Sequence, residues 1–257
     1  MDHLISEEGN YRYIETNPGK ETIMLLHGLF GALSNFKGIF DRFGENYNVV
    51  IPILPILELS LRKVSLKNMV EHIEGFIAFK GFDSVHIVGN SLGGHIAQLY
   101  ILKNPEKVIS LTLTGSSGLF ENAMGSTFPK RGNYDFIKTK TESTFYDPVI
   151  ATKEMVDEVF ETVNDRSKAI KVVAMAKSAI RNNLEGLIGA INSPTLLVWG
   201  NQDIITPPFV GEKFHELIPN SKLVKIDKCG HAPMMEQPEE FNDILESFLN
   251  DIKKGVK

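Results

Sequence analysis

Cysteine is almost absent from this sequence, which has one, Cys229, among 257 residues. A single cysteine excludes an internal disulfide and a metal cluster built on several cysteines. Long apolar runs are missing as well. The longest, from Val49 to Leu57, holds two prolines and falls well short of the ~20 residues that span a bilayer. The first residues also lack the basic and then apolar segments of a secretory signal, so we expect a cytoplasmic protein.

Basic runs are also missing, and the formal net charge is −5. An acidic chain without a basic cluster is not expected to have nucleic acid or an anionic membrane as its partner. The hydrophobic share of 42% and charged share of 23% are typical of a soluble globular protein. The length predicts one large domain, or one domain carrying an insertion. The oligomeric state stays open.

Apolar runs alternate with amphipathic segments along most of the chain. This alternation predicts an α/β fold, with a mostly parallel sheet flanked by helices. Runs such as Ile23–Leu26 are apolar at every position, as in strands that are covered on both faces. The expected strands are Tyr11–Glu15, Thr22–Leu26, Val49–Leu54, Ser84–Val88, Val108–Thr114, Thr195–Trp199 and Lys222–Ile226. The expected helices are Asn35–Phe43, Leu66–Phe79, Leu92–Lys103, Phe209–Leu217 and Glu239–Lys253.

One interval interrupts this alternation. Between Thr114 and Thr195 lie about 80 residues without a clear buried strand, and a structureless loop of that length is improbable. Its second half has helical patterns, at Ala151–Val163 and Ser167–Arg181. We therefore predict a helical cap at residues 117–190, inserted into a core domain formed by residues 1–116 and 191–257.

The most informative motif is Gly89-Asn90-Ser91-Leu92-Gly93, which fits the Gly-x-Ser-x-Gly nucleophile elbow. The elbow holds a serine at a tight turn between a strand and a helix, where glycines permit close approach of the backbones. Ser91 is therefore the candidate nucleophile, and the backbone N–H of Leu92 is a candidate oxyanion donor.

A serine hydroxyl needs a neighbouring base, and the base needs a third group to orient it. In the α/β-hydrolase arrangement the chain order is Ser, then Asp or Glu, then His. Asp203 and His231 supply this order, and each follows a predicted strand. Asp227 is the alternative acid, but it follows the same strand as His231, and a solvated carboxylate suits it better.

The predicted strand Thr22–Leu26 ends in His27-Gly28-Leu29-Phe30-Gly31. A glycine-flanked loop at this place can direct a backbone N–H toward the substrate oxygen. We expect Leu29 to be the second donor, with Phe30 as the alternative. For His27 we expect a structural role, in which its hydrogen bonds hold the shape of this loop.

These motifs together resemble the α/β-hydrolase superfamily, in the branch of small cap-bearing serine hydrolases. The resemblance implies a helical cap over the site and catalysis without a metal or cofactor. One departure is the loop after the strand at Val49–Leu54, which is Gly-rich in relatives and here is apolar around Pro55. The matching segments are His27-Gly28-Leu29-Phe30-Gly31, Gly89-Asn90-Ser91-Leu92-Gly93-Gly94, Trp199-Gly200-Asn201-Gln202-Asp203 and Cys229-Gly230-His231-Ala232-Pro233.

The predicted function is hydrolysis of a small or medium carboxylic ester, thioester or lactone, and the expected partner is a small-molecule acyl substrate. Candidate substrate contacts are Phe30, Arg181 and Met234. Met235 follows Met234 and could line an acyl pocket with it, although a core role suits both methionines equally. His95 and Cys229 are expected to be packed residues.

Two alternatives stay open. Gly89–Gly94, Ser116–Leu119 and Lys228–His231 are similar to segments of meta-cleavage-product hydrolases, which cleave a carbon–carbon bond in vinylogous diketones. That family binds a substrate carboxylate with a cap arginine, and Arg181 is a loose positional match. The second alternative is a non-catalytic ligand-binding protein that has kept the hydrolase fold.

Overall fold

The computed structural model describes residues 5–31, 33–120 and 131–255. In that part of the chain, eight strands form one sheet in the order β1-β2-β4-β3-β5-β6-β7-β8. The first two pairings, β1 with β2 and β2 with β4, are antiparallel, and all the others are parallel. The strands are β1 (Ser6–Glu8), β2 (Tyr11–Glu15), β3 (Thr22–Leu26), β4 (Asn48–Pro52), β5 (Val85–Asn90), β6 (Val108–Thr114), β7 (Thr195–Gly200) and β8 (Ser221–Ile226).

Helices cover both faces of the sheet, which explains why its central strands are apolar without alternation. Met24 and Leu26 of β3 pack into the core on one face, whereas Ile23 and Leu25 pack into the core on the other. The helices are α1 (Lys37–Phe43), α2 (Leu66–Lys80), α3 (Leu92–Lys103), α4 (Tyr134–Glu142), α5 (Lys153–Asn164), α6 (Arg166–Arg181), α7 (Pro208–Leu217), α8 (Pro233–Glu236) and α9 (Pro238–Lys253).

The predicted α/β fold, with a mostly parallel sheet flanked by helices, is confirmed. Strands β2, β3 and β6 and helix α3 have the predicted bounds, and the other predicted elements differ by at most two residues at an end, except the first helix. The predicted helix at Asn35–Phe43 is a 3-10 turn at Leu33–Phe36 followed by α1. Three elements were not predicted, namely β1, α4 and α8. Among the described residues, none of the helices is both long enough and apolar enough to cross a membrane.

The interval between β6 and β7 contains α4, α5 and α6 in its described part. Residues 121–130, which belong to the proposed cap, lie outside the described residues. Helix α5 packs on both α4 and α6. The three helices therefore form one contiguous unit.

The apolar loop after β4 packs beneath α6. Leu54 and Ile56 are buried in the core beside α2 and α3. Lys171 of α6 donates from Nζ to the carbonyl of Leu57 at 2.6 Å, and the backbone N–H of Leu66 donates to Ser178 Oγ at 3.0 Å. The loop around Pro55 thus contributes apolar side chains to the core and a backbone carbonyl to the contact with α6.

Candidate active site

Ser91 lies at the turn between β5 and α3 with φ 52° and ψ −119°. A positive φ is unfavourable for a residue with a Cβ, and such strained residues cluster at functional sites. The turn also brings α3 close to β3, since a Cβ built on Gly93 would lie 2.0 Å from the carbonyl oxygen of Leu26. Only glycine fits that position. The local geometry is therefore that of a nucleophile elbow.

Asn90 connects this turn to the loop that carries His231. Its Nδ2 donates to the carbonyl of Thr114 at 3.0 Å and to the carbonyl of His231 at 3.1 Å. The backbone N–H of Ser91 donates to the same Thr114 carbonyl at 3.1 Å. The ends of β5 and β6 and the His231 loop are thus held together by a single buried amide.

Asp203 contacts His231 across the ends of β7 and β8. Its Oδ2 lies 2.9 Å from His231 Nδ1 and also accepts from Thr206 Oγ1 at 2.8 Å. The other oxygen, Oδ1, accepts from the backbone N–H groups of Ile205 at 2.8 Å and Thr206 at 2.9 Å. These bonds fix the position of the carboxylate. Because the carboxylate accepts a hydrogen bond from Nδ1 of His231, the proton of the neutral ring lies on Nδ1 and Nε2 is free to accept one.

Asp227, the alternative acid, does not contact His231. It is exposed, and Gln202 Nε2 donates to its Oδ1 at 2.9 Å. That hydrogen bond lowers the pKa of Asp227, so the group is a solvated carboxylate.

The loop carrying His231 is also tied to the segment that follows α4. Glu236 accepts three backbone N–H groups: those of Gly230 at 2.9 Å, Ala232 at 3.1 Å and Tyr146 at 2.8 Å. The N–H of His231 itself donates to the carbonyl of Thr144 at 3.0 Å. One carboxylate therefore joins both neighbours of His231 to the segment at Tyr146.

The sequence analysis did not identify Glu236, although a signal exists. Pro233 is the first residue of α8 and marks a helix start. An acidic side chain in the first turn can then reach back to an N–H group that has no partner within the helix.

The loop after β3 lies directly over Ser91. A Cβ built on Gly28 would lie 3.2 Å from Ser91 Cβ and 3.7 Å from its Oγ. His27 holds the loop: its Nδ1 lies 2.9 Å from the carbonyl of Gly28, and its Nε2 accepts the N–H of Leu54 at 3.3 Å. Burial lowers the pKa of His27, which keeps the ring neutral in this structural role.

Ser91 and His231 line one cavity of about 330 Å³. Gly28, Leu29 and Phe30 of the loop after β3 line it beside them. Much of the remaining wall is apolar and comes from α4, α5 and the loop after β7. One polar strip, at the end of α4 and just beyond it, interrupts this apolar lining. It consists of Lys140, Thr141, Ser143 and Thr144.

Two of the predicted substrate contacts lie elsewhere. Arg181 is the exposed last residue of α6, and Met234 is buried in the core against the sheet. In the described part of the chain neither lines the cavity, whereas Met235 does. Met234 and Met235 differ because α8 is a helical turn, which directs consecutive side chains to different sides. Leu92 follows Ser91 as the first residue of α3.

His95 and Cys229 are packed residues, as predicted. Both are fully buried. His95 Nε2 lies 2.8 Å from the carbonyl of Asn182 at the end of α6, and burial lowers the pKa of His95 to about 4. Burial raises the pKa of the Cys229 thiol, so it stays protonated and unreactive.

The sheet, the elbow and the helices between β6 and β7 define the α/β-hydrolase class. A model of the alpha/beta hydrolase family matches residues 23–244, and the chain belongs to this family. A similar solved structure is that of MGS-MChE2, an alpha/beta hydrolase from the metagenome of sediments of the Mar Chica lagoon, Morocco. It is 42% identical, with a TM-score of 0.80, and the match covers 96% of this chain and 98% of that one.

More distant relatives are lipases and dienoate hydrolases. Lipase 3 of Moraxella sp. (strain TA144) is 26% identical over 252 residues, covering 91% of this chain and 79% of the lipase. A 2-hydroxy-6-oxononadienedioate/2-hydroxy-6-oxononatrienedioate hydrolase of Pseudomonas putida is 28% identical over 266 residues, covering 93% and 92%. Family membership therefore supports a hydrolase, and both kinds of substrate occur among its relatives.

Proposed function

We propose that this protein is a serine hydrolase of small or medium carboxylic esters, with thioesters and lactones as chemically related substrates. The observation that carries the proposal is the contact of 2.9 Å between Asp203 and His231, beside a Ser91 that shares the same cavity. The lipase relatives support an ester over other acyl compounds.

In the proposed mechanism Ser91 Oγ attacks the substrate carbonyl while His231 Nε2 accepts its proton. Asp203 holds the ring in the required tautomer and stabilises the imidazolium. The backbone N–H groups of Leu29 and Leu92 stabilise the oxyanion, and each such donor is worth roughly 10²–10³ in rate. His231 then protonates the leaving alkoxide and activates the water that releases the acid. Residues 117–190 act as the cap that encloses the acyl chain.

The decisive experiment is labelling with a fluorophosphonate followed by intact mass measurement. The wild type is expected to gain one adduct and Ser91→Ala none. Ser117→Ala is the matched control, because Ser117 Oγ lies next to the elbow and donates to the carbonyl of Ser91 at 3.3 Å. An unlabelled wild type contradicts the proposal and leaves the non-catalytic binder.

Carbon–carbon hydrolysis is the second candidate, favoured by the Pseudomonas putida relative. Its test is the bleaching of a coloured 2-hydroxy-6-oxo-dienoate. Because Arg181 does not line the cavity, Arg181→Ala is expected to leave any such turnover unchanged. If 4-nitrophenyl alkanoates are hydrolysed and the dienoate keeps its colour, this candidate is rejected.

A further inference from the structure

The charged groups around the cavity are unevenly distributed. Among the described residues that line it, Lys140 is the one side chain besides His231 that can carry a charge, and none is an aspartate or glutamate. Asp203 lies behind His231, buried and bonded by Thr206. A substrate in the cavity therefore meets a positive charge on α4, although the net charge of the chain is −5.

The hydroxyl groups next to Lys140 are already engaged with the backbone. Thr141 Oγ1 donates to the carbonyl of Ile137 at 2.9 Å. Ser143 and Thr144 both donate to the carbonyl of Lys140, at 2.9 and 3.4 Å. Their protons are therefore committed to α4, and the ammonium of Lys140 is the donor on this strip that is left for a ligand.

The two lysines of α4 differ in whether their ammonium groups have a partner. Lys138 forms an ion pair with Glu142 at 3.7 Å and does not line the cavity. Within the described chain, Lys140 Nζ has neither an ion pair nor a hydrogen bond. An exposed lysine beside a cavity whose described lining contains no acid is suited to bind an anion that arrives with the substrate.

The backbone at the end of α4, close to Lys140, is held relative to the proposed catalytic residues. The carbonyl of Thr144 accepts the N–H of His231, and Tyr146 is bonded to Glu236. The end of α4 is thus anchored to the loop of His231. Met155 and Val159 of α5 supply apolar lining, along which a chain of methylene groups can lie.

We infer that Lys140 binds a carboxylate at the far end of the substrate's acyl chain, so that the preferred esters are monoesters of dicarboxylic acids. This inference rests on the proposed ester hydrolysis and names its substrate class. The carboxylate forms an ion pair with Lys140, the methylene groups contact the apolar wall, and the ester carbonyl reaches Ser91.

The test compares two series of 4-nitrophenyl esters, the monoesters of dicarboxylic acids with four to eight carbons and the alkanoates of equal chain length. The measured quantity is the ratio of kcat/KM for each matched pair. For the best-fitting length, Lys140→Met is expected to lower this ratio about two- to fivefold, as for an exposed charge-assisted contact. Lys140→Glu is expected to lower it further, and added salt should lower the wild-type ratio because it screens the charge.

Lys138→Met is the matched control and is expected to keep the wild-type ratio. Equal ratios in the wild type and Lys140→Met at every chain length overturn the inference. If the ratios are equal but Ser91 is labelled and the alkanoates are hydrolysed, only the inference fails and the proposed function stands. If neither series is hydrolysed and Ser91 takes no label, the proposed function fails and the inference fails with it.

Discussion

The two sides of the cavity differ in how their polar groups are held. On the sheet side, the Asp203 carboxylate accepts three hydrogen bonds besides its contact with His231, and it is 3% exposed. On the helical side, Lys140 is exposed and its three polar neighbours bond to their own helix. A proton transfer needs a fixed distance, whereas substrate binding tolerates adjustable side chains. The difference predicts that substitutions on the sheet side change the rate and those on the helical side change the selectivity.

The largest effect is expected from Asp203→Asn, which offers an amide N–H to His231 Nδ1 and so favours the wrong tautomer. We expect kcat to fall by roughly 10⁴-fold with little loss of stability. Ester hydrolysis and a thermal melt measure the two effects. Asp227→Asn is the control and should retain full activity. Comparable losses in both variants would contradict the assignment of the acid.

Glu236→Gln tests the connection between the two sides. Both carboxylate oxygens of Glu236 accept backbone N–H groups, from Gly230, Ala232 and Tyr146. Glutamine has one oxygen and one NH₂ group in their place, so at least one of these N–H groups faces another donor. Since a displacement of about 1 Å can cost 10²-fold, we expect kcat to fall roughly 10- to 100-fold while the protein stays folded. Steady-state kinetics on an alkanoate ester measures this change.

The control for that variant is Glu240→Gln, which alters an exposed acid in the first turn of α9. It is expected to behave as the wild type. A Glu236→Gln enzyme with normal kcat would show that the Tyr146 segment can detach without consequence for His231.

His95 makes the stability depend on pH. Its pKa is lowered to about 4 in the folded protein, whereas an unfolded histidine titrates near 6.5. The unfolded state therefore binds the proton first, so stability is full above about pH 6.5 and falls as the pH drops toward 4. We expect up to ~3 kcal/mol of loss from this group.

Urea denaturation at pH 7.5 and pH 5 measures the part of that loss, about 2 kcal/mol, that is reached by pH 5. His95→Gln should show a smaller difference between the two pH values, while His215→Gln should follow the wild type because His215 is exposed. An unchanged difference in His95→Gln would remove His95 as the cause.

The smallest effect is expected at the contact of α6 with the loop after β4. Lys171→Met removes the hydrogen bond to the carbonyl of Leu57, a contribution of about 1 kcal/mol, so we expect Tm to fall by about 2–4 °C. Lys177→Met, on the exposed side of the same helix, should leave Tm unchanged. A shift of equal size in the control would mean that the loop contact contributes nothing.

The sheet and the elbow were predictable because their signals are local. Apolar runs such as Thr22–Leu26 and the glycines around Ser91 can form few other structures. Strand β1 was missed because Ser6–Glu8 is short and polar and pairs only at the sheet edge. Helix α4 was missed because Ile137 is its one buried residue, so its sequence shows little periodicity.

Which side chains line the cavity depends on geometry that no local pattern encodes. The predicted choice of Arg181 and Met234 followed the position in the chain and the residue type. Which side chain reaches the cavity is decided by the direction of α6 and by the single turn of α8. Lys140 could not be chosen over Lys138 from the sequence, because α4 was not predicted and the placement of that helix decides which lysine lines the cavity.

Helix α5 offers a route to redesign. It contributes Met155, Val159 and Val163 to the cavity and packs on α4 and α6, whereas α4 is followed by the residues bonded to Glu236 and His231. Grafting α5 from a relative is therefore expected to reshape the proposed acyl pocket while leaving the hydrogen bonds of Asp203 and His231 in place. A chimera that also replaces Thr144–Tyr146 must keep the carbonyl at position 144 and the N–H at position 146 in place. Otherwise it will release the loop of His231, the proposed general base, while it exchanges the specificity.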